Sequence, residues 1–306
     1  MPNQIQTDSN QAQNFTFGVE IECLIPKNTP IAVGAYHRPS DVPADYPEGW
    51  KVSGDGSIST GSRSYRGAEF ISPILRGEAG IQQVLQMIDK LNSIDARVNR
   101  TCGLHIHVGA KSVAGELADD VAGWVNNLIH LVGQHEVALY ASTGSRYRAK
   151  QCSYTKSIHA SYSDTKRKEL KKKKWDVLQR EITGIDRYRS LNLNNLFGSK
   201  MTVEFRVFAG TLNKTKILGH IQMVLGLCEK ALGPCVPFNP PATNCYQGGD
   251  GLKGVNRLFF LLGWTLGRKD VGQPACSALG WITDLEQLKE VKKELRRLAK
   301  KFDSAA

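Results

Sequence analysis

The chain of 306 residues has no apolar run approaching the roughly 18 to 20 residues that a membrane-spanning helix needs. Its first 14 residues are Gln, Asn, Ser and Asp-rich, without the basic start or apolar centre of a secretory signal. They read as a disordered leader. The seven cysteines form no Cys-x-x-Cys pair and their number is odd, which argues against a disulfide framework or a zinc ribbon. Reduced thiols and the absent signal point to a cytoplasmic protein. No glycine-rich phosphate loop of the Walker type occurs. The net charge of +11 is concentrated in the run Lys166 to Lys174 and in the C-terminal segment. A positive field attracts polyanions, so nucleic acid is a conceivable partner of the segment 166–174. Only Trp175 adjoins those lysines, however, and a base-stacking surface needs interleaved aromatics.

What the chain does contain is a repeated strand device. In Phe15-Thr-Phe-Gly-Val-Glu-Ile-Glu-Cys23, a period of two puts Glu20 and Glu22 on one face and Phe17, Val19 and Ile21 on the other. Like charges side by side on a strand repel, so this face needs a cation or solvent. Gly103-Leu-His105-Ile-His107-Val-Gly109 pairs two imidazoles in the same way, and Thr202-Val-Glu204-Phe-Arg206-Val-Phe208 pairs a carboxylate with a guanidinium. Ala68-Glu69-Phe70-Ile71 adds one more carboxylate. Together these predict one sheet whose functional face collects the ionisable groups.

Between the strands, the apolar stripe Ile81, Val84, Leu85, Ile88, Leu91 predicts a helix over 78–92. Long helices are expected over 113–140, through the lysine-rich segment to 182, and over 214–232. Arg187 to Asn194 alternates like a strand and should form a hairpin with the Glu204 strand. A loop or flap is expected over 26–49. Site candidates run from residue 20 to residue 206, so a domain cut there would split the site. One domain over 15–306 follows, with a core at 15–232 and a helical C-terminal addition at 233–306.

Carboxylates with imidazole suit hard cations, Mg²⁺ or Mn²⁺. Glu20, Glu22, Glu69 and Glu204, with imidazoles and Asp55, offer enough donors for two ions, a pairing suited to phosphoryl transfer. Arg206 is placed to stabilise a phosphoryl group or an oxyanion. Asp55 also has a plain role as the turn residue of Gly54-Asp-Gly. Cys102, beside the histidines, is a possible nucleophile, although a buried small side chain is the commoner role.

The ordered set Phe17-Gly-Val-Glu20-Ile-Glu22, Asp55-Gly-Ser-Ile, Glu69-Phe-Ile-Ser-Pro, Cys102-Gly-Leu-His105-Ile-His107-Val, Arg189-Ser-Leu-Asn192-Leu and Glu204-Phe-Arg206-Val-Phe-Ala-Gly-Thr resembles the amidoligase family. That family is a branch of the carboxylate–amine ligases that include glutamine synthetase and glutamate–cysteine ligase. The resemblance spans residues 15 to 232. It implies an α+β fold with a curved antiparallel catalytic sheet of the glutamine synthetase type, flanked by helices.

It also implies ATP- and Mg²⁺-dependent joining of a carboxylate substrate to an amine through an acyl phosphate. By motif position, Glu20, Glu22, Glu69, His105 and Glu204 would hold metal. His107, Arg189 and either Arg146 or Arg148 would face the nucleotide. Glu204, Arg206 and Asp55 would serve catalysis. The family's Tyr-Cys pair is not matched, since Tyr147 and Cys152 are separated. Two other readings compete with this one. A metal-dependent hydrolase also uses His-x-His, but its barrel needs eight strand–helix repeats. A basic nucleic-acid-binding protein would use the lysine segment.

Overall fold

A computed structural model describes residues 15–158, 161–162, 164–233, 250–264 and 285–305. The expected leader over 1–14 lies outside them. The alternation of Phe17, Val19, Ile21 and Cys23 produces an 11-residue strand, β1 (Thr16–Pro26). It becomes the hub of the sheet because its apolar face is fully buried. On one side it pairs with β4 (Tyr65–Ile71), followed outward by β3 (Lys51–Ser53) and β2 (Ser40–Asp41). On the other side come β6 (Gly103–Gly109), β8 (Thr202–Ala209) and β7 (Leu191–Asn192), while β5 (Leu75–Arg76) pairs with the start of β1. Every pairing between these strands is antiparallel. The sheet is open and backed by helices, which is an α+β architecture and not a closed barrel.

Helix α1 (Gly77–Ser93) buries the expected stripe of Ile81, Val84, Ile88 and Leu91, plus Met87. The single helix expected over 113–140 is two, α2 (Ala110–Ala114) and α3 (Ala118–Ala141). Gly115, at φ +91°, ends the first in a conformation that glycine tolerates. The lysine-rich helix is likewise split, into α5 (Asp164–Leu170) and α6 (Trp175–Ile182), after the short α4 (Arg146–Lys150). At the break Lys173 is left-handed, and Asp119 of α3 accepts hydrogen bonds from the Trp175 N–H (3.0 Å) and from Lys174 Nζ (2.6 Å). Lys172 pairs with Glu169, and Lys166 donates to the Glu181 carbonyl. These contacts neutralise part of the segment, and nothing in its arrangement favours nucleic acid.

Of the hairpin expected over 187–194, only Leu191 and Asn192 pair as strand, and a 3-10 turn follows (Asn194–Phe197). Helix α7 (Lys214–Lys230) meets β6, and α3 meets β8. Trp124 Nε1 of α3 donates to the Cys228 carbonyl of α7. In the C-terminal segment, α8 (Gly251–Leu261) and α9 (Leu285–Ser304) are described. Leu288, Val291, Leu295, Leu298 and Phe302 of α9 join the same apolar cluster as the sheet. Among the described residues, no helix is long and apolar enough to cross a membrane.

A bulge shapes the site. Between Leu104 and Ile106 of β6, the partner strand advances three residues, from Phe208 to Phe205. The extra residue turns Phe208 to the apolar side, where its ring stacks on His220 of α7 at 4.3 Å. His220 is therefore a core side chain and no metal ligand. Its Nε2 donates to the Ser142 carbonyl at 3.2 Å, while Nδ1 is buried without a partner. Burial consequently lowers its pKa from 6.5 to about 4.

The unfolded chain takes up this proton near pH 6.5 and the folded chain only near pH 4, so stability falls as pH drops through that window. The lowering is worth on the order of 3 kcal/mol. Urea midpoints should fall between pH 6.5 and 4, and His220→Phe should remove part of that slope, since burial also lowers His135 to about 4. An equal slope in the variant would remove His220 as its cause.

Candidate active site

Register brings the ionisable groups together. Across β1 and β6 Glu20 faces His105, across β1 and β4 Glu22 faces Glu69, and across β6 and β8 His107 faces Glu204. His105 Nδ1 lies 3.1 Å from Glu20 Oε2 and 3.5 Å from Glu204 Oε1, and its Nε2 lies 3.5 Å from Glu22 Oε1. His107 Nε2 stands 3.2 Å from Glu20 Oε1, out of line for a hydrogen bond, and this buried nitrogen has no hydrogen-bond partner. Glu22 Oε2 accepts the Gly103 N–H, and Glu204 accepts from Asn192 Nδ2 (2.6 Å) and from Arg206.

Three overlapping triads each have donor atoms within 4.8 Å of one another: Glu20–Glu69–His105, Glu20–His107–Glu204 and Glu22–Asp55–Glu69. Asp55 thus joins the cluster while its Oδ1 also accepts the Ser57 N–H of its own turn. The triads border a cavity of about 330 Å³ floored by Glu20, Glu69, His105, His107 and Glu204.

The electrostatics register a shortage of positive charge. Burial, then the charges of Glu20, Glu22, Asp55 and Glu204, push Glu69 up to about 9. Burial would also raise Glu20 and Glu204. For Glu20 the contacts with His107 and His105 outweigh it and hold the group well below the usual carboxylate range; for Glu204 the two imidazoles and Arg206 outweigh it and lower the group. Conversely, burial would depress His107, but Glu20 and Glu204 raise it. Both carboxylates thus favour a proton on His107 where no cation is present. Buried oxygen donors with one orphaned imidazole nitrogen suit a hard divalent cation, and no thiol joins the triads.

Residues 13–228 match the family model described as "Putative amidoligase enzyme". The chain belongs to the amidoligase family. No curated protein matches it. Among solved structures, it is similar to the crystal structure of a bifunctional glutathione synthetase from Pasteurella multocida, with a TM-score of 0.48 and 11% identity. That match covers 99% of this chain and 54% of the other, so the chain spans about half of that protein's length. At that score the likeness fixes neither fold nor activity.

In this amidoligase-family chain three arginines stand apart from the cavity lining. Arg146 donates to the Phe302 and Asp303 carbonyls, which fastens α9. Arg189 pairs with Asp186. Arg148 is buried on the functional face behind His105, donating to the Cys102 and Phe208 carbonyls. Its guanidinium occupies the space a side chain at position 103 would fill: a Cβ on Gly103 would lie 2.1 Å from Arg148 Nη2 and 2.9 Å from His105 Nε2.

Gly103→Ala should therefore dislodge Arg148 and cost about 1–3 kcal/mol by overpacking. In a double-mutant cycle with Arg148→Met, measured by urea unfolding, the two losses should be strongly non-additive. Additive losses would break the link between them. Cys102 is no nucleophile, because burial pushes its thiol up to about 11.

Sequence reasoning missed several contributors to the cavity. Asn192 holds Glu204, and Tyr36, His37, Arg187 and Lys200 line the walls. The asparagine lay inside a quoted motif and was findable. Arg187 opens the run that alternates like a strand, while Tyr36, His37 and Lys200 come from loops without periodicity.

Proposed function

We propose that this cavity joins a carboxylate to an amine at the expense of ATP, on a sheet of the glutamine synthetase type, with two or more Mg²⁺ or Mn²⁺ ions. The carrying observation is the overlap of three donor triads on one sheet face in a chain of the amidoligase family. Glu22, Asp55 and Glu69 would hold one ion, and Glu20, His107 and Glu204 another, with His105 and Glu69 between them. Bound there, the cations would neutralise phosphate oxygens and lower the cost of phosphoryl transfer.

The chain's own groups complete the chemistry. Arg206, held against Glu204, presents a fixed positive charge beside the cavity for a phosphoryl group or oxyanion. Asn192 and the Gly103 N–H keep Glu204 and Glu22 oriented. The substrate carboxylate oxygen takes the γ-phosphoryl group to give an acyl phosphate and ADP. The amine nitrogen then bonds to the acyl carbon, phosphate leaves, and the amine proton passes to water or to a carboxylate of the cavity. The test is phosphate release from ATP with Mg²⁺ and pools of amino acids and peptides, with mass spectrometry for new amides. Turnover without nucleotide would replace the ligase with the hydrolase reading.

A further inference from the structure

We propose that Arg187 and Lys200 form an oxyanion-binding rim on this cavity, receiving either a phosphate of the nucleotide or a carboxylate of the substrate. The inference rests on the ligase reading and adds to it the groups that hold the anionic reactants. Both cations line the cavity, yet neither pairs with a carboxylate within 4.0 Å among the described residues.

For Arg187 the reason is specific. The adjacent acid, Asp186, is already shared by Lys156 (3.3 Å) and Arg189 (3.2 Å). Arg187 is left with a neutral partner, donating to the Tyr36 hydroxyl at 3.2 Å, while its guanidinium lies over the Tyr188 ring. Tyr36 belongs to the loop before edge strand β2, and Arg187 to the segment before the opposite edge strand β7. The contact thus joins the two edges of the sheet on the cavity side. A guanidinium has five N–H donors in a planar fork matched to carboxylate or phosphate, and most of these remain unused here.

Lys200 sits in the turn before β8, pinned where Ala110 N–H donates to the Met201 carbonyl. The amides of Asn194 and Asn195 line the same cavity. Arg206 differs from both rim cations in sharing its charge with Glu204, so Arg187 and Lys200 add to it. An anionic reactant entering over a floor of carboxylates needs positive groups that those carboxylates have not neutralised. Arg187 and Lys200 are placed to supply them. A depression of about 610 Å³ beside Leu252, Arg257 and Phe260 and another of about 540 Å³ beside Tyr46, Asp89 and Lys90 lie away from this chemistry.

Calorimetric titrations of wild type, Arg187→Gln, Lys200→Gln and the double variant test the rim, with Mn²⁺ alone, tripolyphosphate with Mg²⁺, and glutarate with Mg²⁺ as probes. The expected result is Mn²⁺ affinity within about twofold of wild type, and a loss of about tenfold or more for an anion in each single variant, the scale of a charged hydrogen bond. Loss confined to tripolyphosphate assigns the rim to the phosphoryl donor. Loss confined to glutarate assigns it to the carboxylate substrate, and loss of both assigns it to both. Unchanged anion affinities, or wild-type protein that binds neither anion, overturn the rim. Wild-type protein that binds the anions through these residues but takes up no Mn²⁺ would leave the rim standing and defeat the metal-dependent ligase instead.

Discussion

Glu20→Gln should lower Mg²⁺-dependent ATP turnover more than about 100-fold, since even outer partners of metal ligands cost 10- to 100-fold when lost. The glutamate belongs to two of the three donor triads, and its two oxygens face different imidazoles, His105 through Oε2 and His107 through Oε1. Glutamine keeps the shape and removes the charge, so one change weakens both proposed ion positions at once. Glu204→Gln should act similarly and also leave Arg206 without its carboxylate. The fold should survive, because β1 is anchored by Val19, Ile21 and Cys23 on the opposite face. Removing one of several crowded carboxylates should even relieve repulsion on Glu69. The measurement is phosphate release paired with Mn²⁺ titration and a urea midpoint. Full turnover with full Mn²⁺ affinity in Glu20→Gln would remove the metal assignment.

How much of this was legible beforehand follows from the range of the interactions involved. Strand alternation is local, so the shared face of Glu20 and Glu22, of His105 and His107, and of Glu204 and Arg206 could be read from spacing alone. Register is not local. That Glu22 faces Glu69, 47 positions further along the chain, and Glu20 faces His105, depends on which strands neighbour β1. The break at Lys173 was invisible because lysine is a good helix former and the residue that caps α6, Asp119, belongs to another helix. Arg146 and Arg148 are two positions apart in sequence, yet one fastens α9 while the other fills the gap left by Gly103. No pattern around position 147 encodes that difference, since the partners lie at 302, 303 and 208.

The pH dependence of cation binding should be the second large effect. With no cation present, burial and the surrounding carboxylates hold the Glu69 proton up to about pH 9. A divalent ion taken up by the Glu22–Asp55–Glu69 triad needs the ionised form, so binding must expel that proton. Linkage then sets the sign: below the raised pKa the ion competes with the proton, and affinity rises with pH up to tenfold per unit. Between pH 7 and 9 the gain in Mn²⁺ affinity should approach about 100-fold, levelling off above the Glu69 pKa. Titrations in buffers of different ionisation enthalpy should report about one proton released from Glu69 at pH 7, with a further contribution from His107 if the Glu20–His107–Glu204 triad is filled as well. Glu69→Gln, which holds no such proton, should bind more weakly and lose most of the slope. A flat affinity profile with no proton release in the wild-type protein would mean that Glu69 is not a ligand, leaving its crowding by four carboxylates without a cation to relieve it.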